Sequence, residues 1–542
     1  MDSDLKLLSK TYITGLDYQL KKRDIAIQIP EDEIFNLPEK IIVLGNSSLI
    51  RMTINYFLDY IIKKKEFGGR IIQIELRDEN LIKNMKAQDF LYTLNLKGLD
   101  NGNIKDEWVL ITSIKDGLYI NEWNKILEYI KNPEIFCLIC YYDGEIEFFT
   151  EEDSIKNTPP KSYIGLILSL LYERYRRFKS KDIIFNVISL NPKFKGNITL
   201  REKILEIGKT WSLGEKFLSW IRLKVRFFDS IIDKLDIGNF SNDEIQEYCL
   251  KLGYKDNFLL LTENYNKWII NNPKKIKFPI SSLENFIEFT DNLNTIFQLN
   301  TWFNVILVSF IPIAFLSGYD KTNEALKDVI INDFFEKFLF NTIKKFVELP
   351  ESELRIWGKT ILTRLKNPFN RRTLIDMSEN LIKKFREEFL YKMIEFYEKE
   401  KNIPEYIYFI LATILRFYNI FEENGKYYGI RNLILDSEEK LIENNLELDY
   451  DSISESRNNY EIYEVKDDPD ILKDFCNAWK DVNVNDSRSL DIFLSYILTQ
   501  KRIWGMDLTL WPDLFEKTKY YLDRLLHEDI GKITSELLLG IN

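Results

Sequence analysis

The sequence predicts an α/β domain over residues 1–275 followed by an all-α domain over residues 276–542. In the first half, short apolar runs alternate with segments of helical period, which is the pattern of β-α-β units and a parallel sheet. After about residue 278, strand-like runs become scarce and long helical periods dominate. Between the two regions, the polar stretch 271–275 contains a helix-breaking proline, which favours a domain boundary there.

The elements of the first domain follow from its apolar runs. The run from Lys40 to Gly45 contains four consecutive apolar residues before the glycine, so we expect a strand buried on both faces and then a turn. Apolar residues then recur at helical spacing over 49–64, which predicts a helix. By the same criteria we predict strands at 70–76, 108–112, 134–142 and 181–190, and a helix at 120–131. Strands alternating with helices imply a parallel sheet with helices on both faces.

The second domain is predicted from six long segments of helical period and one segment without any. The helical segments are 325–347, 352–366, 374–401, 405–421, 468–482 and 487–500. The segment 436–463 is acidic and rich in asparagine and has few periodic apolar positions. We therefore expect a solvated loop insertion there.

Composition excludes several classes of protein. Of the 542 residues, 45% are hydrophobic and 29% are charged, as in soluble globular proteins. The net charge of −11 and the pI near 5.2 argue against a protein that binds nucleic acid. The most apolar window, 302–316, is shorter than the ~20 residues that span a bilayer, so we expect a buried core helix. With no visible signal peptide, we expect a cytoplasmic protein without a membrane partner.

Cysteine and histidine are too few for most metal sites. The chain has four cysteines and one histidine, His527, which excludes any mechanism that needs two imidazoles. Cys137 and Cys140 form a CxxC motif inside a run that reads as a buried strand. No second pair of soft ligands accompanies them, so we predict structural cysteines, a reducing compartment and no metal site.

A strand, a glycine and a helix follow one another at 43–51, which is the beginning of a Rossmann-type dinucleotide-binding unit. Gly45 takes the first glycine position, whereas Ser47 takes the second and adds a Cβ where pyrophosphate would approach the backbone. Glu75 ends the next strand and could accept a hydrogen bond from a ribose hydroxyl. Its carboxylate favours NAD over NADP because it would repel a 2′-phosphate. The predicted cofactor-binding residues are Gly45, Asn46, Ser47, Ser48, Leu49 and Glu75. A structural turn that binds no ligand is the alternative.

Short landmarks occur in a fixed order along nearly the whole chain. They are Leu44-Gly45 with Leu49-Ile50-Arg51, Pro159-Pro160-Lys161-Ser162, Leu171-Tyr172 with Arg174, Trp211-Ser212-Leu213-Gly214-Glu215, Ile231-Ile232-Asp233-Lys234, Phe289-Thr290-Asp291-Asn292-Leu293, Asn367-Pro368-Phe369, Asp467-Asp468-Pro469 and Trp504-Gly505-Met506-Asp507-Leu508. In this order they resemble the long-chain polyol dehydrogenases, the family of mannitol dehydrogenase and of tagaturonate reductase (altronate oxidoreductase).

The resemblance implies a fold, a cofactor and a substrate class. The family has a Rossmann-type N-terminal domain and a helical C-terminal domain. It interconverts a polyol or hydroxy acid and the corresponding ketone with a nicotinamide cofactor and without a metal. For this chain it implies NAD as cofactor and a small sugar acid or polyol as substrate. Lys161 lies in a matching segment and is expected to face the substrate cleft.

The family's catalytic groups are a lysine that moves the proton and an asparagine and a histidine that hold the substrate oxygen. They lie on a helix soon after the Asp-Asn-Leu landmark. Counted forward from that landmark, Asn300 takes the lysine's place and Val308 the histidine's. Counted back from Gly318, Leu299 and Leu307 take those places, and Asn304 keeps the asparagine as a substrate-binding residue.

Both alignments lack the lysine and the histidine, because no lysine, arginine or histidine occurs between Lys277 and Lys321. A positioned base contributes roughly 10²–10⁴-fold to such a reaction, and neither leucine nor asparagine can act as one at pH 7. Two functions are therefore open. The first is an NAD-dependent oxidoreductase in which another group moves the proton, with Asp291 and Lys321 as the nearest candidates. The alternative is a catalytically inactive relative that binds a ligand or a partner, and the oligomeric state is open.

Overall fold

The computed structural model describes residues 5–13, 25–100, 102–142, 144, 146–179, 181–190, 199–431, 461–483 and 486–540. The chain divides into two compact units, 1–293 and 294–542. The first unit extends beyond the predicted boundary at residue 275, because the strand Ile287–Thr290 of the N-terminal sheet follows that residue.

The N-terminal unit is built on a main sheet of eight strands. In spatial order they are β11 (Ile287–Thr290), β10 (Lys267–Asn271), β8 (Val225–Asp233), β7 (Phe185–Leu190), β6 (Cys137–Tyr141), β1 (Glu39–Leu44), β2 (Arg70–Glu75) and β5 (Ile114–Tyr119). Neighbouring strands are parallel except β8 and β10. β2 and β5 lie on one side of β1, whereas β6 and the later strands of this sheet lie on its other side. The gap between the carboxyl ends of β1 and β6 is therefore the topological switch point. This confirms the predicted Rossmann-type domain.

One predicted strand belongs to a different sheet. The segment 108–112 lies in β4 (Asn103–Ile111), which pairs antiparallel with β3 (Tyr92–Asp100). A second sheet of three strands contains β4, β3 and β9 (Leu260–Glu263). The assignment of 108–112 to the parallel sheet was therefore wrong. Asp100 and Gly102 flank the short β3–β4 connection, and such Asp/Asn/Gly connections typify hairpins, whose strands pair antiparallel.

Helices cover both faces of the main sheet. Ile41 and Val43 of β1 pack in one cluster with Phe57, and Ile42 and Leu44 pack in another on the opposite face. The helices of this unit are α1 (Lys10–Ile13), α2 (Ser48–Met52), α3 (Ile54–Lys63), α4 (Glu79–Ala87), α5 (Trp123–Ile130), α6 (Tyr163–Phe178), α7 (Leu200–Thr210), α8 (Glu215–Lys224) and α9 (Asn242–Leu252), with short 3-10 helices at Asp32–Asn36, Ile120–Glu122 and Ser281–Leu283.

The helix predicted over 49–64 is interrupted at Thr53. Its backbone leaves the helical region (φ −126°, ψ −84°), and α2 ends before it while α3 begins after it. The Thr53 hydroxyl donates to the carbonyl of Leu49 at 2.5 Å, an alternative to the regular helical hydrogen bond. The first helix after the glycine turn is consequently only five residues long.

The C-terminal unit is helical, as predicted, but it also contains a small antiparallel sheet of β12 (Ile420–Glu423), β13 (Lys426–Ile430) and β14 (Ile462–Glu464). Its helices are α10 (Leu293–Leu316), α11 (Thr322–Ala325), α12 (Val329–Ile343), α13 (Glu351–Leu365), α14 (Leu374–Met377), α15 (Leu381–Lys384), a π-helix (Phe385–Leu390), α16 (Tyr391–Glu400), α17 (Glu405–Phe417), α18 (Pro469–Lys480), α19 (Ser487–Thr499), α20 (Lys501–Trp504), a 3-10 helix (Leu508–Leu510), α21 (Leu514–His527) and α22 (Ile530–Gly540).

The predicted loop insertion at 436–463 is tested only at its end. Residues 436–460 lie outside the described residues, so the prediction stands untested there. Ile462 and Tyr463, however, belong to β14, and the buried Tyr463 hydroxyl donates to the carbonyl of Phe417 at 2.7 Å. The loop prediction is wrong at these residues because an aromatic side chain and strand pairing fix them.

The apolar window 302–316 forms most of α10, which begins at Leu293 and contains Pro312. Among the described residues, α10 is the one helix that is long and apolar enough to cross a membrane, and most of it is buried inside the protein. Burial of this kind is typical of the core helix that the sequence predicts.

Candidate functional site

The predicted cofactor turn lies at the switch point of the main sheet. Gly45 directly follows β1, and its N–H donates to the carbonyl of Ile74 in β2 at 3.0 Å. Its φ is +106°, and a Cβ at this position would lie 3.1 Å from the carbonyl oxygen of Tyr141 at the end of β6. Both facts require a glycine here. We call residues 45–49 the glycine turn.

The glycine turn presents several unpaired backbone amides. The Ser47 hydroxyl caps α2 by accepting a hydrogen bond from the N–H of Ile50 at 3.3 Å. Within the described part of the chain, the amides of Asn46, Ser47, Ser48 and Leu49 donate to no other group. Successive free N–H groups of this kind form a concave site for an anion.

Side chains of the turn contribute differently from its backbone. Asn46 is only 5% exposed, and its amide nitrogen lies 3.3 Å from the sulfur of Met85 in α4. The Asn46 side chain thus packs into the interior, and its contribution at the turn is its backbone amide. Ser47, Ser48 and Leu49 are partly exposed.

Glu75 ends β2 beside the glycine turn and is 3% exposed. Its Oε1 accepts hydrogen bonds from the backbone amides of Leu76 (3.0 Å), Arg77 (2.9 Å) and Asp78 (3.3 Å). Within the described residues, Oε2 has no such partner. Arg51 of α2 is a further charge near Glu75, and burial lowers the pKa of its guanidinium. The carboxylate is therefore held in place by one oxygen, which leaves the other for a ligand hydroxyl.

Lys161 lies on a loop whose conformation is set by a buried carboxylate. Asp153, which is 4% exposed, accepts from the amides of Lys161 (3.1 Å) and Ser162 (2.8 Å) and from the Ser162 hydroxyl (2.6 Å). The Lys161 ammonium is 3.7 Å from Glu152, and its side chain is 65% exposed. The structure thus gives Lys161 a solvent-facing side chain. The sequence reasoning missed Asp153, which organises the landmark 159–162.

The helix that should carry the catalytic groups is α10. Between Leu293 and Leu316 it contains no acidic or basic side chain. Leu299, the lysine position when counted back from Gly318, is 3% exposed. Val308, the histidine position when counted forward from the Asp-Asn-Leu landmark, is also 3% exposed. Asn300 and Asn304 stand four residues apart and therefore share one face, on which Asn300 is partly exposed and Asn304 is exposed. The polar side chains of this helix are thus amides and hydroxyls, without any acidic or basic group.

Lys321 and Asp291 are the titratable candidates named from the sequence. Lys321 precedes α11, beyond the C-terminal end of α10. Twelve residues separate Asn304 from Leu316, and at a rise of about 1.5 Å per residue this is roughly 18 Å of helix. Asp291 belongs to the other unit of the chain. The geometry of α10 therefore gives no support to Lys321 as the base beside Asn304.

The sequence reasoning also missed Lys384. This residue ends α15 and immediately precedes the π-helix Phe385–Leu390, a kind of helix that is often found at functional sites. Its Nζ donates to the carbonyl of Met377 at 3.1 Å. Burial lowers the pKa of Lys384, and the charge of Arg372 lowers it further, whereas the charges of Glu379, Glu388 and Asp467 oppose this lowering. Nothing in the sequence pattern distinguishes this lysine from its neighbours.

The CxxC motif is structural. Cys137 and Cys140 are both buried in β6, but they belong to clusters on opposite faces of the sheet. Burial raises the pKa of both thiols, which keeps them protonated. Among the described residues, no group of three or more histidine, cysteine, aspartate and glutamate side chains could hold a metal ion.

Comparisons with known proteins agree with this architecture. The mannitol dehydrogenase Rossmann domain matches residues 39–281, and the mannitol dehydrogenase C-terminal domain matches residues 296–483. The altronate oxidoreductase of Halalkalibacterium halodurans is 25% identical over 515 residues, which are 93% of this chain and 94% of that protein. The altronate oxidoreductase of Bacillus subtilis is 25% identical over 505 residues, or 92% and 94% of the two chains.

Solved structures show the same fold. A ternary complex of Pseudomonas fluorescens mannitol 2-dehydrogenase with NAD and D-mannitol has a TM-score of 0.64 at 16% identity, covering 98% of this chain and 99% of that one. A substrate-free D-sorbitol dehydrogenase has a TM-score of 0.69 at 15% identity, covering 97% and 99%. With both domain profiles matched in order over a shared fold, the chain belongs to the mannitol dehydrogenase family of oxidoreductases.

Proposed function

We propose that this chain binds NAD at the glycine turn and a small sugar acid in its C-terminal unit, and that it has lost the family's proton-transfer groups and acts by binding. One observation carries the second half of this proposal. The helix α10 has no ionisable side chain over its 24 residues.

The residues of the glycine turn fit a dinucleotide. Gly45 allows close approach of the backbone, the free amides of residues 46–49 suit a pyrophosphate, and Glu75 offers Oε2 to a ribose hydroxyl. Bound NAD would supply the hydride acceptor. Ser47 narrows the turn by one Cβ but uses its hydroxyl as a helix cap, so it adds no charge that would repel phosphate.

A sugar acid is favoured over a neutral polyol because two relatives of nearly full length are named altronate oxidoreductases.

Turnover is a different matter from binding. Removing the hydroxyl proton needs a base, for which a contribution of roughly 10²–10⁴-fold is usual. Asn300 and Asn304 can hold an oxygen but cannot accept its proton. The loss of a cationic or imidazole donor removes a further ~3 kcal/mol of stabilisation of the developing oxyanion.

A second candidate function is residual turnover with Lys384 as the base. The observation that favours it is the lowered pKa of this partly buried lysine. The buried, free cysteines suit the cytoplasm in either case.

The test has two arms on the purified full chain. Calorimetric titration with NADH should show binding, and absorbance at the nicotinamide band should show no turnover of tagaturonate, fructuronate or fructose. Ordinary turnover that is lost in Lys384→Met would replace the binding proposal by the second candidate. Absence of NADH binding would remove the cofactor part of the proposal.

A further inference from the structure

A fully buried polar network lies directly behind the glycine turn. Gln73 lies in β2, between β1 and the edge strand β5, and is 0% exposed. Its Nε2 donates to the carbonyl of Gly45 and also lies 3.4 Å from the carbonyl of Val43. On this face of β1 and β2, Ile41, Val43 and Ile71 belong to an apolar cluster, as expected for parallel strands covered by helices. Gln73 and Glu75 are the polar residues at the carboxyl end of β2, and Gln73 is the one that donates to the Gly45 carbonyl.

The network continues into the interrupted helix. Asn55, near the start of α3 and also 0% exposed, donates from its Nδ2 to the Oε1 of Gln73 at 3.3 Å. The Tyr92 hydroxyl of β3 donates to the carbonyl of Arg51 at 2.8 Å. The Ser113 hydroxyl donates to the carbonyl of Asn55 at 2.8 Å. Side chains of β3 and of the β4–β5 connection thus bind the backbone on the two sides of the Thr53 interruption.

Burial of the Gln73 amide in β2 costs free energy, which its hydrogen bonds must offset. A buried amide is unfavourable unless its donors and acceptor are paired, and here the pairing is to the turn and to α3. Gly45 has no side chain that could fix its peptide plane by packing. Its φ of +106° is a backbone conformation that residues with a side chain rarely adopt. Its carbonyl is drawn inward by Gln73, whereas the amides of residues 46–49 stay unpaired.

We infer that Gln73 is a positioning residue for dinucleotide binding: it orients the Gly45 peptide so that the amides of the glycine turn can receive pyrophosphate. This rests on the proposed function of the turn. Gln73 itself is buried behind the backbone and acts through Gly45. Asn55 supports it by fixing the orientation of its amide.

The test compares Gln73→Leu with Gln88→Leu. Gln88 is a matched control because it is also 0% exposed and also donates to a backbone carbonyl, that of Leu91 at 3.1 Å, at the C-terminal end of α4. Both changes remove a buried amide of the same unit. Gln73→Met serves as a second variant with a more adaptable side chain if the leucine variant is insoluble.

Three measurements separate positioning from general destabilisation. In Gln73→Leu, the Kd for NADH should rise at least about tenfold, the effect of one lost hydrogen bond transmitted to the ligand. The Kd for adenosine, which lacks phosphate, should stay within about twofold by ligand-observed NMR. Hydrogen exchange at the amides of Gly45, Ile50 and Arg51, which close the turn by hydrogen bonds, should accelerate.

The outcomes decide the inference in each case. Gln88→Leu should lose stability while keeping NADH affinity and the exchange rates of the turn. An unchanged NADH affinity in Gln73→Leu, or an equal loss in Gln88→Leu, would overturn the positioning role. If the wild-type chain binds no NADH, the proposed function fails, and the exchange rates alone then show whether Gln73 holds the turn.

Discussion

Gly45→Ala is the substitution whose effect follows most directly from the structure. Placing a side chain at positive φ costs about 1–2 kcal/mol for an ordinary residue. At Gly45 the new Cβ would also meet the carbonyl oxygen of Tyr141 at 3.1 Å, and that oxygen belongs to the backbone of the neighbouring strand. Relief requires β1 and β6 to separate by a few tenths of an ångström in a close-packed sheet, so we expect a total loss of about 2–3 kcal/mol.

Gly214→Ala is the matched control. Gly214 has a φ of +86° at the start of α8, and a Cβ there meets nothing within 4 Å. It should cost only the conformational part, about 1–2 kcal/mol. The free energy of unfolding is measured by urea titration of both variants, and NADH affinity by calorimetry. Gly45→Ala should be the less stable by about 1 kcal/mol and should alone lose NADH affinity. Equal losses of stability, with NADH binding intact in both, would refute the steric account of the switch point.

Three further predictions use other parts of the molecule. Leu299→Lys with Leu307→His should give a rate about 10²-fold above the wild-type background in a nicotinamide absorbance assay, because it supplies a base and a donor. Asn300→Lys with Val308→His tests the other alignment, and a gain by that pair alone would favour the other alignment. Arg174→Met should lower the free energy of unfolding by about 2–3 kcal/mol, because this 1% exposed guanidinium donates to the carbonyls of Ile130 (2.9 Å) and Asn132 (3.2 Å). Burial, with repulsion from Glu202, raises the pKa of Asp229 from 3.8 to about 6. The folded state therefore binds a proton more tightly than the unfolded state, and the free energy of unfolding should fall as pH rises from about 4 through 6. Asp229→Asn should remove this pH dependence in a series of urea titrations.

Periodicity predicted the elements well where one physical rule dominated. Buried parallel strands read as apolar runs, which are continuous over residues 41–44 in β1 and 137–140 in β6 and are interrupted by single polar residues in β2 and β7. The rule failed at two places. The backbone at Thr53 interrupts a segment of regular helical spacing, and the Thr53 hydroxyl donates to the carbonyl of Leu49. The segment around β4 read as one more strand, but its sheet was set by its hairpin partner β3.

The candidate site was less accessible to sequence reasoning. Gly45 and Glu75 could be placed because each follows a strand that is easy to predict. Gln73 could not be placed in this way, because its role depends on a hydrogen bond to the carbonyl of Gly45, which follows the neighbouring strand β1. Lys384 and Asp153 are distinguished by their burial and by their hydrogen bonds to residues several positions away, Met377 for Lys384 and Ser162 for Asp153. Such contacts exist only in the folded chain, and no spacing rule anticipates them.

The proposed loss of the catalytic groups from α10 is physically compatible with a well-preserved fold. Leu299 and Val308 are each 3% exposed, so a lysine or an imidazole at either position would have to be paired or strained in a mostly apolar helix. Replacing such a group by an aliphatic side chain removes a desolvation penalty and improves packing, which commonly stabilises a protein at the expense of activity. The glycine turn is under the opposite constraint, because Gly45 and Gln73 serve the backbone geometry of the sheet itself. Catalytic side chains on α10 can therefore be replaced without destabilising the fold, whereas substitutions in the glycine turn destabilise the domain that contains it.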